Sequence, residues 1–189
     1  MPTGAPDEGS TETRTLEAFA DTVLPGAKRA PDDTSVAGRS HDAGAVEAGA
    51  LELLRTPATG LTSGLPEFAA LLNEHAAGYA AGRGLPAADG EPPFVALAFE
   101  DRTALLRNLT SPGHPEKEFW VMLALFCNMA YDSAAHISTP EAIAAGHPGL
   151  RAMGFAAPDA DGLLRFKEYS YGRPLARLHP DTTPSGSPA

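Results

Sequence analysis

The chain has 189 residues, 43% of them hydrophobic, which is enough for one domain with a real core. A formal net charge of −10 and a pI near 4.9 argue against nucleic acid and anionic membrane surfaces as partners, because both need a basic face. Cys127 is the only cysteine, so no disulfide framework and no CxxC metal site forms within one chain, and its place in an apolar run reads as an inert buried thiol.

The first 14 residues carry no basic region, apolar stretch or twin-arginine pair, so a cytoplasmic location is expected unless a partner carries the chain out. Residues 1–12 and the tail 180–189 are Gly, Pro, Ser, Thr and acids with little else, and read as disordered. Between them, residues 13–179 read as a single helical domain. A first helix is expected over Arg14–Leu24, where Leu16, Phe19, Ala20, Val23 and Leu24 keep the helical period and Pro25-Gly26 stops it. A loop runs to about His41. Asp42 then suits the cap of a second helix, Ala43–Leu54. Gly44 and Gly49 weaken that helix by about 1 kcal/mol each relative to alanine, or mark the close approach of another helix.

A third helix spans Leu65–Ala81, with Leu65, Phe68, Leu72, His75, Ala76 and Tyr79 in period and Gly82-Arg83-Gly84 at its end. Residues 83–93 read as a loop, Asp101–Leu109 as a short fourth helix, and Pro115–Ile137 as a long fifth one. Pro115 suits the first helical position there, and Glu116 and Glu118 complement the helix dipole. From Phe119 to Tyr131 only Asn128 is polar, so this helix reads as the central strut. A short helix follows over Pro140–Ala145, stopped by Gly146-His147-Pro148-Gly149. Residues 148–179 lack periodicity and read as an irregular arm. The fold class is all-α: an orthogonal bundle of about five to six helices with long loops.

Most catalytic signatures are missing: no HExxH, GxSxG, phosphate loop or EF-hand loop. Gly82–Ala87 mimics GxGxxA but follows a helix and contains Pro86, so it reads as a helix stop. His114, His147 and His179 each precede a proline, in loops or caps. His75 reads as a core histidine bonded to a carbonyl. One constellation stands out. Asn128, Asp132 and His136 recur every four residues and would form one stripe on the long helix. Asp132 could orient His136 as a general base, or the two could ligate a metal with help from Glu118 or another helix; the plainer reading is an i, i+4 pair at the helix end, with Asn128 bonded to a neighbouring backbone group. Tyr169, Tyr171 and Arg173, in the irregular arm, are interface candidates, since aromatics and Arg dominate hot spots.

Several stretches together resemble the gluconate 2-dehydrogenase subunit 3 family. They are Thr15–Pro25 (TLEAFADTVLP), Gly44–Gly49 (GAVEAG), Phe94–Leu97 with Asp101-Arg102 and Leu105-Leu106, the long helix from Phe119, and Met153-Gly154-Phe155. The chain is similar above all to a soluble domain-of-unknown-function branch of that kind from high-GC bacteria. The resemblance implies an accessory subunit or dedicated chaperone with no cofactor of its own. Its partner would be an FAD-dependent oxidoreductase of the glucose-methanol-choline (GMC) type. The chain departs from the family's pattern in lacking a twin-arginine signal and a Gly-Gly-Asn segment after the long helix, where Ser138-Thr139-Pro140 stands instead. The alternative is a small cofactor-independent enzyme working through Asp132 and His136.

Overall fold

The first helix, α1 (Thr11–Val23), is buried on nearly every side, and the other elements are arranged around it. The computed structural model describes residues 9–28, 42–86, 89–155, 157 and 160. Residues 1–155 form one compact unit and residues 156–189 another, and the described helices all belong to the first. After α1 come α2 (Ala50–Leu54), α3 (Leu65–Arg83), α4 (Pro93–Ala96), α5 (Phe99–Leu109), α6 (Lys117–Ser133), α7 (Thr139–Ala144) and α8 (Pro148–Ala152). Among the described residues there is no strand, and the all-α expectation holds. None of these helices is long and apolar enough to cross a membrane.

Ser10 starts α1: its hydroxyl accepts from the Thr13 amide at 3.2 Å, so order begins inside the stretch expected to be disordered. Leu16, Phe19 and Ala20 face the core as the period predicts. So do Thr13, Thr15, Glu17, Asp21 and Thr22, which the period does not predict. The Thr15 and Thr22 hydroxyls donate back to carbonyls four residues earlier. Asn73 of α3 donates to the Thr15 hydroxyl at 2.9 Å and accepts the Phe94 amide at 3.0 Å, which joins α1, α3 and α4 through one side chain.

The second helix is shorter than its composition suggests. Residues 45–49 form turns, and Gly49 sits in the left-handed region at φ 86°. Helix starts only at Ala50. A Cβ on Gly49 would fall 2.5 Å from the His136 ring. Gly44 lies directly against the backbone of Gly26, and a Cβ there would fall 2.5 Å from the Leu24 carbonyl oxygen. Both glycines therefore mark close approach, by a backbone in one case and an imidazole in the other. The Ala45 amide donates to Leu24 (3.0 Å) and the Ala27 amide to Asp42 (2.9 Å), so this segment is bonded to the end of α1.

The long helix is not the central strut. Trp120, Leu123, Cys127 and Ala130 are buried along one face of α6, but Val121 (42% exposed), Met122 (37%) and Leu125 (56%) look outward. It begins at Lys117, two residues after Pro115, and ends at Ser133 because Ala134 adopts φ 50°. Ala134, Ala142 and Leu150 then make a small second core under α7 and α8. α8 itself falls in a stretch read as irregular. His147 caps it, accepting the Leu150 amide on Nδ1 at 3.3 Å.

Arg102 of α5 is 5% exposed. Its Nε donates to the Leu97 carbonyl (3.0 Å) and its Nη2 to Val95 (3.2 Å), and Asp21 offers opposite charge nearby. Burial pulls its pKa down and Asp21 resists that pull. Arg102→Met should cost about 3 kcal/mol of unfolding free energy in a denaturant titration, because two buried carbonyls lose their donor and Asp21 loses compensating charge. A second expectation concerns Cys127, whose thiol is fully buried and pushed up to about 12 by burial. A thiol reagent at pH 8 should label it only as fast as the protein unfolds, so rates should rise with denaturant in step with loss of helicity.

Candidate functional site

The predicted polar stripe does not assemble. Asn128 is exposed and donates to the Ala124 carbonyl of its own helix at 2.9 Å. Asp132 is exposed, and no hydrogen bond or ion pair joins it to His136. The reason is geometric: the helix stops at Ser133 and the left-handed Ala134 turns the chain before His136, so the spacing of four no longer means one face. His136 instead lies on Gly49, its ring 5.9 Å from the ring of His147. Burial lowers its pKa, His147 adds to that, and Glu52 opposes it. Its Nδ1 is buried with no hydrogen-bond partner. His147 is satisfied on both sides, since Nδ1 accepts from Leu150 and Nε2 therefore carries the proton donated to the Ala48 carbonyl at 2.9 Å. Glu118 is exposed on α6, and no group of metal-ligating side chains suited to an ion occurs among the described residues. Tyr169, Tyr171 and Arg173 lie outside the described residues.

The structure brings together a different set. The Glu116 carboxylate, at the start of α6, accepts on Oε2 from His75 Nε2 of α3 (2.8 Å) and from Trp120 Nε1 (2.9 Å). The hydrogen bond from Trp120 holds Glu116 below its ordinary pKa of 4.5, the His75 bond adds to this, and partial burial works against it. His114 Nδ1 accepts the Glu116 amide at 3.2 Å, and its ring meets that of His75 edge-on at 6.0 Å. His75, His114 and Glu116 line a cleft of about 540 Å³ together with Leu71, Glu74, Gly78, Tyr79, Leu105, Asn108 and Leu109. His75 is half-buried and bonded to a carboxylate, not a core histidine on a carbonyl.

A second cleft, of about 420 Å³, lies between α3, α4 and the start of α5. Its lining is alanine, leucine and proline, and its one ionisable group, Asp101, already accepts the Tyr79 hydroxyl at 3.0 Å. It offers shape without chemistry.

A model of the family of unknown function DUF5987 matches residues 10–189. The chain belongs to that family. No curated protein matches it, and no solved structure does. The family match therefore brings no activity with it, and function rests on the chain's own geometry.

Sequence reading placed Glu116 as a helix-dipole residue and missed its role as a hub. The i, i+4 spacing of Glu116 and Trp120 was a legible signal; the 41-residue separation of His75 and Glu116 was not. Trp120→Phe removes one donor to that carboxylate and should lower stability at pH 7 by about 1.5 kcal/mol. A carboxylate with a depressed folded pKa contributes stability above 4.5 that is lost as pH falls through its folded value. Melting curves between pH 5 and 3 should therefore show a shallower loss in Trp120→Phe than in the wild type.

Proposed function

We propose that this protein is an accessory helical subunit, or dedicated chaperone, that docks onto a larger protein through the outer face of α6. The observation that carries this reading is the cluster Val121, Met122 and Leu125. These three sit together on one side of a long helix and are 42%, 37% and 56% exposed. At 100° per residue they point away from Trp120 and Leu123, which fill the core. Scattered exposed apolar residues need no explanation, but a contiguous strip on a rigid element is the mark of an interaction surface. Glu118, Asn128 and Asp132 border the strip, so a partner with basic groups around an apolar groove complements it.

The resemblance to the gluconate 2-dehydrogenase subunit 3 family supplies the partner's class: an FAD-dependent GMC-type oxidoreductase, with the flavin in the partner. A subunit that binds only the folded flavoprotein stabilises it by mass action. The acid–base alternative through Asp132 and His136 gains no support from geometry, since the two side chains do not meet.

Co-expression with a GMC-type flavoprotein of the same genome should raise the yield of soluble, FAD-loaded enzyme, and the two should co-purify. Leu125→Glu should abolish co-purification while leaving the melting temperature of the isolated subunit within about 2 °C, as expected for an exposed position. If such flavoproteins neither co-purify nor change in yield, the proposal fails.

A further inference from the structure

The cleft around His75 goes beyond a docking role, and lies on the opposite side of α6. Glu116 and Trp120 face α3, whereas Val121, Met122 and Leu125 face outward. We propose that this cleft is a proton-transfer site in which His75 is the general base and Glu116 its positioning residue.

The hydrogen bonds define the tautomers. Glu116 accepts on Oε2, so the His75 proton is on Nε2, and its Nδ1 carries a lone pair that no described residue donates to. His75 is 26% exposed and Glu116 32%, so the imidazole is accessible from the cleft while its orientation is fixed. Trp120 matters because it holds the carboxylate in place from a second direction at 2.9 Å. A carboxylate held ionised beside an imidazole stabilises the imidazolium that forms when Nδ1 takes a proton. His114 accepts the Glu116 amide on Nδ1, which leaves its Nε2 as a donor, and His114 and Asn108 both line the cleft. Half-buried Leu71, backed by the buried Leu105 and Leu109, gives the cleft an apolar wall, and the Glu74 carboxylate lies on its lining as well.

This arrangement suits a small carbonyl compound with an acidic α-carbon. The α C–H bond breaks and its proton goes to His75 Nδ1. The electron pair moves onto the carbonyl oxygen, where the N–H donors of His114 and Asn108 stabilise the charge. Return of the same proton to a different atom completes an isomerisation, with no oxidant, reductant or second substrate needed.

A generic carbon acid tests the base without knowledge of the natural substrate. In 5-nitro-1,2-benzisoxazole, removal of the C3 proton breaks the N–O bond and releases a coloured cyanonitrophenolate. The full-length protein at pH 7 should accelerate this elimination saturably, beyond imidazole at equal concentration. His75→Gln, which keeps a donor for Glu116, should reduce kcat by about 100-fold. Glu116→Gln should reduce kcat about 10-fold with KM changed by less than about 2-fold, a split that loss of a merely structural tie does not produce. Circular dichroism and melting curves establish that each variant is folded. Should a variant fail to fold, the wild type still decides: diethyl pyrocarbonate modification of His75, followed by mass spectrometry, should remove the elimination activity in proportion. Elimination no faster than with imidazole, equal rates in folded His75→Gln, or full activity after His75 is modified would each overturn the proposal.

Discussion

Burying α1 on nearly every side is the constraint from which the rest of the structure follows. A helix in the middle of a bundle has little solvent face on which to keep its polar residues, and α1 carries Thr13, Thr15, Glu17, Asp21 and Thr22 inside. A buried hydroxyl or carboxylate without a partner costs a few kcal/mol, so what α1 does not satisfy from its own backbone its neighbours must supply. Asn73 does this for Thr15 and at the same stroke fixes the start of α4. Arg55, from just beyond α2, donates to the Thr13 hydroxyl at 2.6 Å. Asp21 accepts the Gly26 amide at 3.2 Å and lies near Arg102, which is itself bonded to the chain on both sides of Ala96. Part of the polar interior is thus a set of cross-braces to other elements, while the Thr22 hydroxyl is satisfied within α1 itself.

The same economy shapes α6. Its sequence is apolar all round, which suggests burial all round, but α1 already holds the centre. α6 contributes Trp120, Leu123, Cys127 and Ala130 to the core and leaves three large apolar side chains outside. Trp120 packs against Phe19 (6.3 Å between ring centres) and uses its indole N–H on Glu116. A tryptophan buried with its polar edge satisfied at the margin of the core combines packing with a directed bond. That bond is what turns the beginning of α6 into a chemical feature.

Hydrophobic period and stop signals made the helices around Phe19, Leu72, Leu105 and Leu123 legible from the chain. What escaped were the points where a backbone leaves the helix for a tertiary reason. Gly49 is left-handed and lies against His136, a contact 87 positions away in sequence; Ala134 is left-handed with its methyl in the second core. Those two residues account for the overlong second helix and for the stripe that never formed. The candidate site was illegible for a related reason. His75 keeps the apolar period of α3, so its pattern resembles that of a core position, and only the folded chain brings Glu116 to it. α8 was hidden because its cap is a histidine, and histidine is not among the usual capping residues.

Ala134 illustrates how such a compromise is kept. Left-handed backbone costs a non-glycine residue about 1–2 kcal/mol, and glycine would relieve that. Glycine would also widen the unfolded ensemble, at about 0.4–1 kcal/mol. It would remove as well a methyl group that is wholly buried beside Ala142 and Leu150, worth about 0.8 kcal/mol. The two sides nearly balance. The position is therefore close to neutral between alanine and glycine in stability, while differing in what fills the space beneath α8. Sequence drift between these two residues would leave the fold intact and loosen the seam between α6 and α8.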